Sequence, residues 1–254
     1  MTAPVVVLTG ATKGIGRHVA GKLIEAGVRL VAVARSADLL EELKESAPDD
    51  YVVVVAGDVT EPATAVRTVE SAREAFGRID VLINNAGGSG DLPPQREPTL
   101  EEKVERWERT IRANLISQIL FCEVVVPVMK EQGRGRIVNI SSSGGRAWAR
   151  VGDVAYVASK AGVLGVTRQL ARQLGPFGIT VNAVAPGTVL ASDRVRGRWG
   201  GLSEDQRQAA LASIPMGRLA ELDEVTGPII FLALGESDYM TGTTLDVNGG
   251  FYMG

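Results

Sequence analysis

Tyr156 and Lys160 stand four positions apart in Tyr-Val-Ala-Ser-Lys, which puts a phenol and an ammonium on one face of a helix. A phenol of ordinary pKa is a poor acid–base catalyst at neutrality, and a neighbouring cation favours its phenolate. The pair therefore reads as a proton donor and acceptor tuned by charge. The bland alternative is an ordinary pair on a helix surface. Upstream, Ser141, Ser142 and Ser143 close an apolar run and lead into Gly144 and Gly145, either as hydroxyl donors at a strand end or as a polar turn.

A second group sits near the start of the chain. Thr9-Gly10-Ala-Thr12-Lys13-Gly14-Ile15-Gly16 follows an apolar run and opens a helical stretch. Glycines in that context allow a tight turn and close backbone approach, and the helix start then offers unpaired N–H groups to a pyrophosphate. The spacing, Gly-x3-Gly-x-Gly, is looser than the usual dinucleotide fingerprint. At the end of the next apolar run, where an acid would bind a ribose 2′-hydroxyl, stand Arg35 and Ser36. Arg35 can fork two hydrogen bonds to a 2′-phosphate, and Lys13 adds charge, so the pattern favours NADP(H). Asp38 fits the first turn of a helix. Asp58, next to Val59, suits either an adenine amino group or a helix cap.

Elements able to position these groups alternate along the chain. Residues 5–8, 30–34, 52–56, 81–83, 137–140, 181–185 and 244–247 read as short β-branched strands. Residues 15–26, 37–46, 63–76, 100–130, 154–175 and 221–234 read as helices. This alternation predicts a single doubly wound, Rossmann-like α/β domain over 1–254, with a seven-stranded parallel sheet and helices on both faces. Two stretches break the rhythm, 87–99 and 187–215. Both follow strand ends, where such sheets bind ligands. Residues 188–215, with Arg194, Arg196, Arg198, Trp199 and a helical piece from Ser203, are expected to form a substrate lid.

Composition narrows the classes. The chain has 254 residues, 45% hydrophobic and 22% charged, with net charge −3, which gives no basic field for nucleic acid. One cysteine (Cys122, in an apolar helical setting) and one histidine (His18) argue against a thiolate cage, a disulfide scaffold, a His-clustered metal site or a histidine triad. No metal is expected. Charges such as Glu123 are expected to keep each apolar stretch short of a membrane span, and the start lacks the pattern of a signal peptide. A cytoplasmic protein with no membrane partner is expected.

The sequence resembles the short-chain dehydrogenase/reductase family, in the subtype of about this length. The resemblance covers nearly the whole chain: the glycine motif, Asn84-Asn85-Ala86-Gly87, Asn114, Ile137-Val-Asn-Ile-Ser-Ser142, Tyr156-x3-Lys160, Pro186-Gly187 and Thr241-Gly-Thr-Thr-Leu-Asp-Val-Asn-Gly-Gly250. It implies an NADP(H)-dependent oxidoreductase moving hydride between nicotinamide and a ketone or secondary alcohol. By resemblance Tyr156 is the general acid or base, Lys160 holds the ribose and tunes Tyr156, Ser142 binds the substrate oxygen, and Asn114 anchors a water leading to Lys160. An interior Asn capping a helix kink is the plainer reading of Asn114. Cofactor contacts are implied for Gly10, Thr12, Lys13, Gly14, Ile15, Gly16, Arg35, Ser36, Asp58, Val59, Asn85, Ala86, Gly87, Pro186, Gly187 and Val189, besides Tyr156 and Lys160. Asn84 and Asn85 are further candidates to brace the sheet.

Some positions depart from the family. Ser142 lies fourteen positions before Tyr156 and Ser143 thirteen; the family's usual spacing matches Ser143, whereas the strand alignment favours Ser142. A frequent threonine after Pro-Gly is Ala191 here, beside Ser192. Trp148, Arg150 and Trp199 are candidate pocket walls or simple packing. Relatives acting on 3-oxoacyl groups of an acyl carrier protein dock that partner on basic residues; one such position is Phe177, and Arg134 and Arg136 could partly substitute. An acyl-carrier substrate is thus the second reading, beside a small carbonyl or alcohol. A non-catalytic NADP(H)-sensing protein and a dehydratase, epimerase or lyase are the other classes. The long helical segments predict a homotetramer, with a dimer as the alternative.

Overall fold

The computed structural model describes residues 3–88, 97–149 and 153–254. Seven strands form: β1 (Val5–Thr9), β2 (Arg29–Ala34), β3 (Val52–Ala56), β4 (Val81–Asn84), β5 (Gly135–Ile140), β6 (Ile179–Pro186) and β7 (Thr244–Val247). They join one parallel sheet in the order β3-β2-β1-β4-β5-β6-β7. The crossovers run outward from β1 to β3, then reverse at β4. That reversal opens a crevice at the carboxyl ends of β1 and β4.

Alternation along the strands builds two cores. Val6, Leu8, Leu30 and Ala32 face one side and pack with residues of α1 (Gly14–Glu25), α2 (Ala37–Glu45) and α9 (Leu222–Leu234). Val5, Val7, Val31 and Val33 face the other and pack with α3 (Pro62–Phe76), α5 (Ser117–Gln132) and α6 (Val154–Leu174). The runs are apolar throughout because both faces are covered.

α4 (Leu100–Ile111) continues through a π turn, Arg112–Ile116, into α5. A capping box of Thr99 and Glu102 starts it. This continuous helix corrects one expectation. It is long and apolar enough, by length and composition, to cross a membrane. Here Phe121, Cys122, Val125, Val128 and Met129 on its inner face are core. A second difference lies in 187–215. Besides α8 (Glu204–Ala212), which follows the capping Ser203, the structure has α7 (Asp193–Gly200). No residue of α7 is buried, so no apolar periodicity announced it; the Ser192 cap and the Asp193–Arg196 pair at 2.8 Å define its start.

Candidate active site

The catalytic candidates meet where β5 ends against the first turns of α6. Asp153 caps α6, and its carboxylate accepts from the Tyr156 N–H at 3.1 Å. Arg106 of α4 holds the same carboxylate at 3.2 Å. After β5, Ser141 donates its hydroxyl to the Lys160 carbonyl at 2.8 Å. Ser142 then opens a 3₁₀ turn, Ser143–Gly145. A Cβ on Gly145 would lie 2.6 Å from the Lys160 carbonyl, so the turn docks on α6 only because this residue has no side chain. Of the three serines, Ser142 is the one that acts on the Tyr156 phenol, drawing its pKa down against the effect of burial. Its Oγ also accepts from the Gly144 N–H at 3.1 Å.

Lys160 is 4% exposed, and its ammonium donates to the Ile140 carbonyl at 2.8 Å. Burial pulls its pKa down to about 8. Burial pushes the Tyr156 phenol up, while the Ser142 hydrogen bond and the charge of Arg194 act the other way. The Lys160 ammonium is turned to the end of β5, and the charge of Arg194 in α7 also acts on the Tyr156 phenol.

Asn114 lies in the π turn, fully buried. Its Oδ1 accepts from the Gly88 N–H at 2.8 Å, and its Nδ2 donates to the Gly88 and Thr110 carbonyls, each at 2.9 Å. The side chain therefore clamps the chain leaving β4. Gly87 has φ 147°, and a Cβ there would sit 2.5 Å from Asn114 Oδ1 and 3.5 Å from Lys160 Nζ. Asn84 donates to Asn139 Oδ1 at 3.0 Å, and Asn139 donates to Thr167 at 3.0 Å, bracing β4, β5 and α6.

The other end of the crevice is built from backbone. Gly10 (φ 70°) and Gly14 (φ 58°) turn the chain, and the Gly10 and Ala11 N–H groups donate to the Val33 carbonyl at 2.8 and 3.2 Å. The Asn85 side chain donates to the Thr9 and Gly10 carbonyls at 2.9 and 3.2 Å. The N–H groups of Asn85 and Ala86 both donate to Thr9 Oγ1 at 3.0 Å. A Cβ on Gly16 would overlap both Gly10 O and the Asn85 amide. α1 begins without a side-chain cap, and its first turn holds no acid. Thr12 and Ile15 flank that start.

Lys13 and Arg35 are exposed and form no ion pair among the described residues. Ser36 is the N-cap position of α2, and Asp38 lies in its first turn. Asp58 does not cap α3, whose N-cap is Glu61. Its Oδ1 instead accepts the N–H and hydroxyl of Thr60, each at 2.8 Å, and so fixes the turn that carries Val59. An uncapped helix start, a glycine turn that excludes Cβ atoms and two cations with no ion pair among the described residues fit a phosphorylated dinucleotide.

Pro186 ends β6, and Gly187 N–H donates to the Val247 carbonyl at 2.8 Å. Val189 bridges Ala220. Ala191 and Ser192 then pass over α1: a Cβ on Gly14 would meet them at 3.7–3.8 Å. Arg194 reaches back to Gly88, where a Cβ would touch its guanidinium. Trp148 stacks edge-on against Phe251, with centroids 5.4 Å apart. Arg146, between Ser142 and Trp148, pairs with Asp246 at 3.0 Å and lies over the Tyr252 ring at 4.6 Å. These C-terminal partners of the serine loop carried no sequence signal, because their role exists only once β7 lies beside β6. Arg150 lies outside the described residues, as does most of 87–99. A cavity of about 480 Å³ beside Gly187 is lined by residues such as Ile214, Arg218 and Asn248, and none of Ser142, Tyr156 or Lys160 lines it.

Arg136 is corrected as a docking residue: its guanidinium donates to the Ala233 and Gly235 carbonyls at 3.0 and 2.8 Å and pairs with Asp238. It and Arg134 lie at the start of β5, the end opposite Ser142. His18 pairs with Asp223 at 2.8 Å. Buried Cys122 has its thiol pushed up to about 12, which fits a packing role. No group of three metal-ligating side chains occurs among the described residues.

Residues 10–252 match the family model described as enoyl-(acyl carrier protein) reductase. The chain is 36% identical over 249 residues to the 3-oxoacyl-[acyl-carrier-protein] reductase of Salmonella typhimurium, covering 98% of this chain and 97% of that one. It is 37% identical over 253 residues to the enzyme of the same name from Escherichia coli, with the same coverage of 98% and 97%. A crystal structure from Sinorhizobium meliloti 1021, described as a "putative short-chain alcohol dehydrogenase", aligns with TM-score 0.86 at 28% identity over 99% of this chain and 97% of that one.

Proposed function

The chain belongs to the short-chain dehydrogenase/reductase family, and from that premise we propose that Tyr156, Ser142 and Lys160 carry out its reaction, with 3-oxoacyl thioesters as the natural substrate class. It is an NADP-dependent oxidoreductase acting on a ketone or alcohol. A bound reduced nicotinamide would supply the hydride that the carbonyl carbon takes up. Tyr156 gives its phenolic proton to the carbonyl oxygen, and Ser142 donates a hydrogen bond to that oxygen as charge develops. A phenol raised by burial stays protonated at neutral pH, which suits the reducing direction. Lys160 binds the nicotinamide ribose and replenishes the proton, while Asn114 holds the Gly87–Gly88 backbone beside it. The single observation that carries this reading is the convergence of Ser142, Tyr156 and Lys160 at the end of β5, where Asp153 caps the first turn of α6 and the Lys160 ammonium donates to the Ile140 carbonyl.

At the other end, Gly10, Thr12, Gly14, Ile15 and Gly16 hold the pyrophosphate. Arg35, Ser36 and Lys13 take the 2′-phosphate, and Asp58 and Val59 the adenine. Asn85, Ala86, Gly87, Pro186, Gly187 and Val189 line the nicotinamide half. Residues 188–215 act as the lid over a single domain spanning 1–254. The names of the relatives support an acyl carrier protein as the physiological donor of the substrate. A cytoplasmic homotetramer is the assembly proposed, with a dimer as the alternative; Leu100 and Val154 at the outer helix ends are 65% and 69% exposed, as an interface would leave them in one chain.

The test is NADPH oxidation against a carbonyl panel that includes simple ketones, acetoacetyl and longer 3-oxoacyl thioesters. Turnover highest with the 3-oxoacyl thioesters is expected. Tight NADPH binding with no oxidation anywhere in the panel would favour a cofactor-sensing protein instead.

A further inference from the structure

We propose that Arg146 is a positioning residue for carbonyl reduction: forked onto Asp246 of β7, it fixes the turn that presents the Ser142 hydroxyl to the substrate oxygen. This rests on the reading of Ser142 given above.

The turn is short and needs an outside hold. Gly145 N–H donates to the Ser142 carbonyl at 2.8 Å, and the N–H groups of Arg146 and Ala147 both donate to the Ser143 carbonyl at 3.0 Å. Bonds of this kind close a single 3₁₀ turn without fixing where it sits. One side of it docks on α6, where Gly145 approaches the Lys160 carbonyl and Ser141 donates to that same oxygen. The other side is held by the Arg146 side chain. Its Nε lies 3.1 and 3.2 Å from the two carboxylate oxygens of Asp246, and its Nη2 lies 3.0 Å from the second of them. Nη2 also donates to the Gly254 carbonyl at 2.8 Å, and the guanidinium lies over the Tyr252 ring at 4.6 Å. Two residues further on, Trp148 meets Phe251 edge-on.

The far anchor is itself tied down. Asp246 sits in register with Ala185 of β6. After β7, Asn248 Oδ1 accepts from the Gly250 and Tyr252 N–H groups at 3.0 and 3.4 Å, and the Gly249 carbonyl accepts from Met216 N–H at 3.1 Å. Arg146 therefore joins the serine turn to the sheet. The Arg146 and Asp246 side chains are only 18% and 19% exposed, and a planar guanidinium there holds a carboxylate in one orientation, as an ammonium does not. Misplacing a group that acts on the reacting atoms by about 1 Å can cost about 10²-fold in rate.

The experiment measures single-turnover oxidation of bound NADPH by the acetoacetyl thioester of N-acetylcysteamine. It compares wild type, Arg146→Met, Arg146→Lys, Asp246→Asn, Ser142→Ala, and each Arg146 variant combined with Ser142→Ala. NADPH affinity is read by fluorescence on every protein. Arg146→Met is expected to lower the rate tenfold or more at nearly unchanged NADPH affinity. Arg146→Lys and Asp246→Asn, which lose the fork alone, should lower it at least threefold. In the Ser142→Ala background the Arg146 changes are expected to cost less than twofold, because the hydroxyl they misplace is already gone. A merely structural role would lower the rate by the same factor in both backgrounds, or in step with NADPH affinity. Either result overturns the assignment while leaving Ser142 in place, as does an Arg146→Met or Asp246→Asn rate within twofold of wild type. Should Arg146→Met not fold, Arg146→Lys carries the same comparison. Ser142→Ala within twofold of wild type, or wild type that binds NADPH and reduces nothing, overturns the underlying reading and the role of Arg146 with it.

Discussion

The two ends of the crevice are made of different material. The end at β1 and β2 is backbone: glycines with positive φ, carbonyls and N–H groups tied to Val33, Thr9 and Asn85, and a helix start without a cap. The end at β5 and α6 is held by side chains that grip backbone: Ser141 on the Lys160 carbonyl, Asn114 on the Gly88 N–H, Asp153 on the Tyr156 N–H and Lys160 on the Ile140 carbonyl. The first end should be intolerant of added atoms and indifferent to most exchanges of side-chain chemistry. The second should be the reverse. A cofactor shared by many reactions needs only a shaped groove, whereas a proton transfer needs particular groups at particular atoms.

Three substitutions can break or sharpen that contrast. The largest effect is expected for Lys160→Met. It should lower kcat/KM by about 10³-fold or more, in line with removal of a group that acts as part of a catalytic unit. The same change should stabilise the cofactor-free protein by about 1–2 kcal/mol at pH 7, because a buried ammonium with a pKa near 8 is held charged at a cost. The sign follows from proton binding. Between about pH 8 and the ordinary lysine value the unfolded chain binds the extra proton, so wild-type stability rises with pH across that window. The advantage of the methionine variant should shrink there, as urea unfolding at several pH values would reveal. A variant less stable than wild type at pH 7 would mean that the ammonium is well solvated in place.

Next in size is Gly16→Ala at the backbone end. One methyl meets the Gly10 carbonyl and the Asn85 amide. NADPH affinity should weaken by about 10²-fold, roughly 2.7 kcal/mol, as read by fluorescence titration. Unchanged affinity would show that the turn can open. The smallest of the three is Arg35→Asp, on an exposed cation with no ion pair among the described residues. It should reduce the NADPH-over-NADH preference in kcat/KM by about 10- to 100-fold, the worth of a charge-assisted hydrogen bond. A preference left intact would assign the 2′-phosphate to Lys13.

Most of the scaffold was legible because it rests on local pattern. Val5, Val7, Val31 and Val33 announce strands covered on both faces, and all seven expected strands form. The glycine turn and the Tyr156/Lys160 pair were legible for the same reason, since spacing alone fixes their shared face or turn. What the chain did not reveal depends on contacts between distant segments. The seating of the serine turn on α6 depends on a Gly145 with no side chain against the Lys160 carbonyl. The direction of the Lys160 ammonium is set by the Ile140 carbonyl, and the task of Arg136 by the carbonyls at the end of α9. Arg194 was visible only as one of three arginines in residues 188–215; its approach to Gly88 needs α7, which no apolar stripe predicts.

The central claim is that the Tyr156 phenol supplies the proton in carbonyl reduction. Its most direct test compares wild type and Tyr156→Phe in single-turnover oxidation of bound NADPH by an acetoacetyl thioester, with NADPH affinity measured on both. The account predicts a rate lowered by about 10³-fold or more at nearly unchanged affinity. A phenylalanine variant that keeps a tenth of the wild-type rate would contradict it.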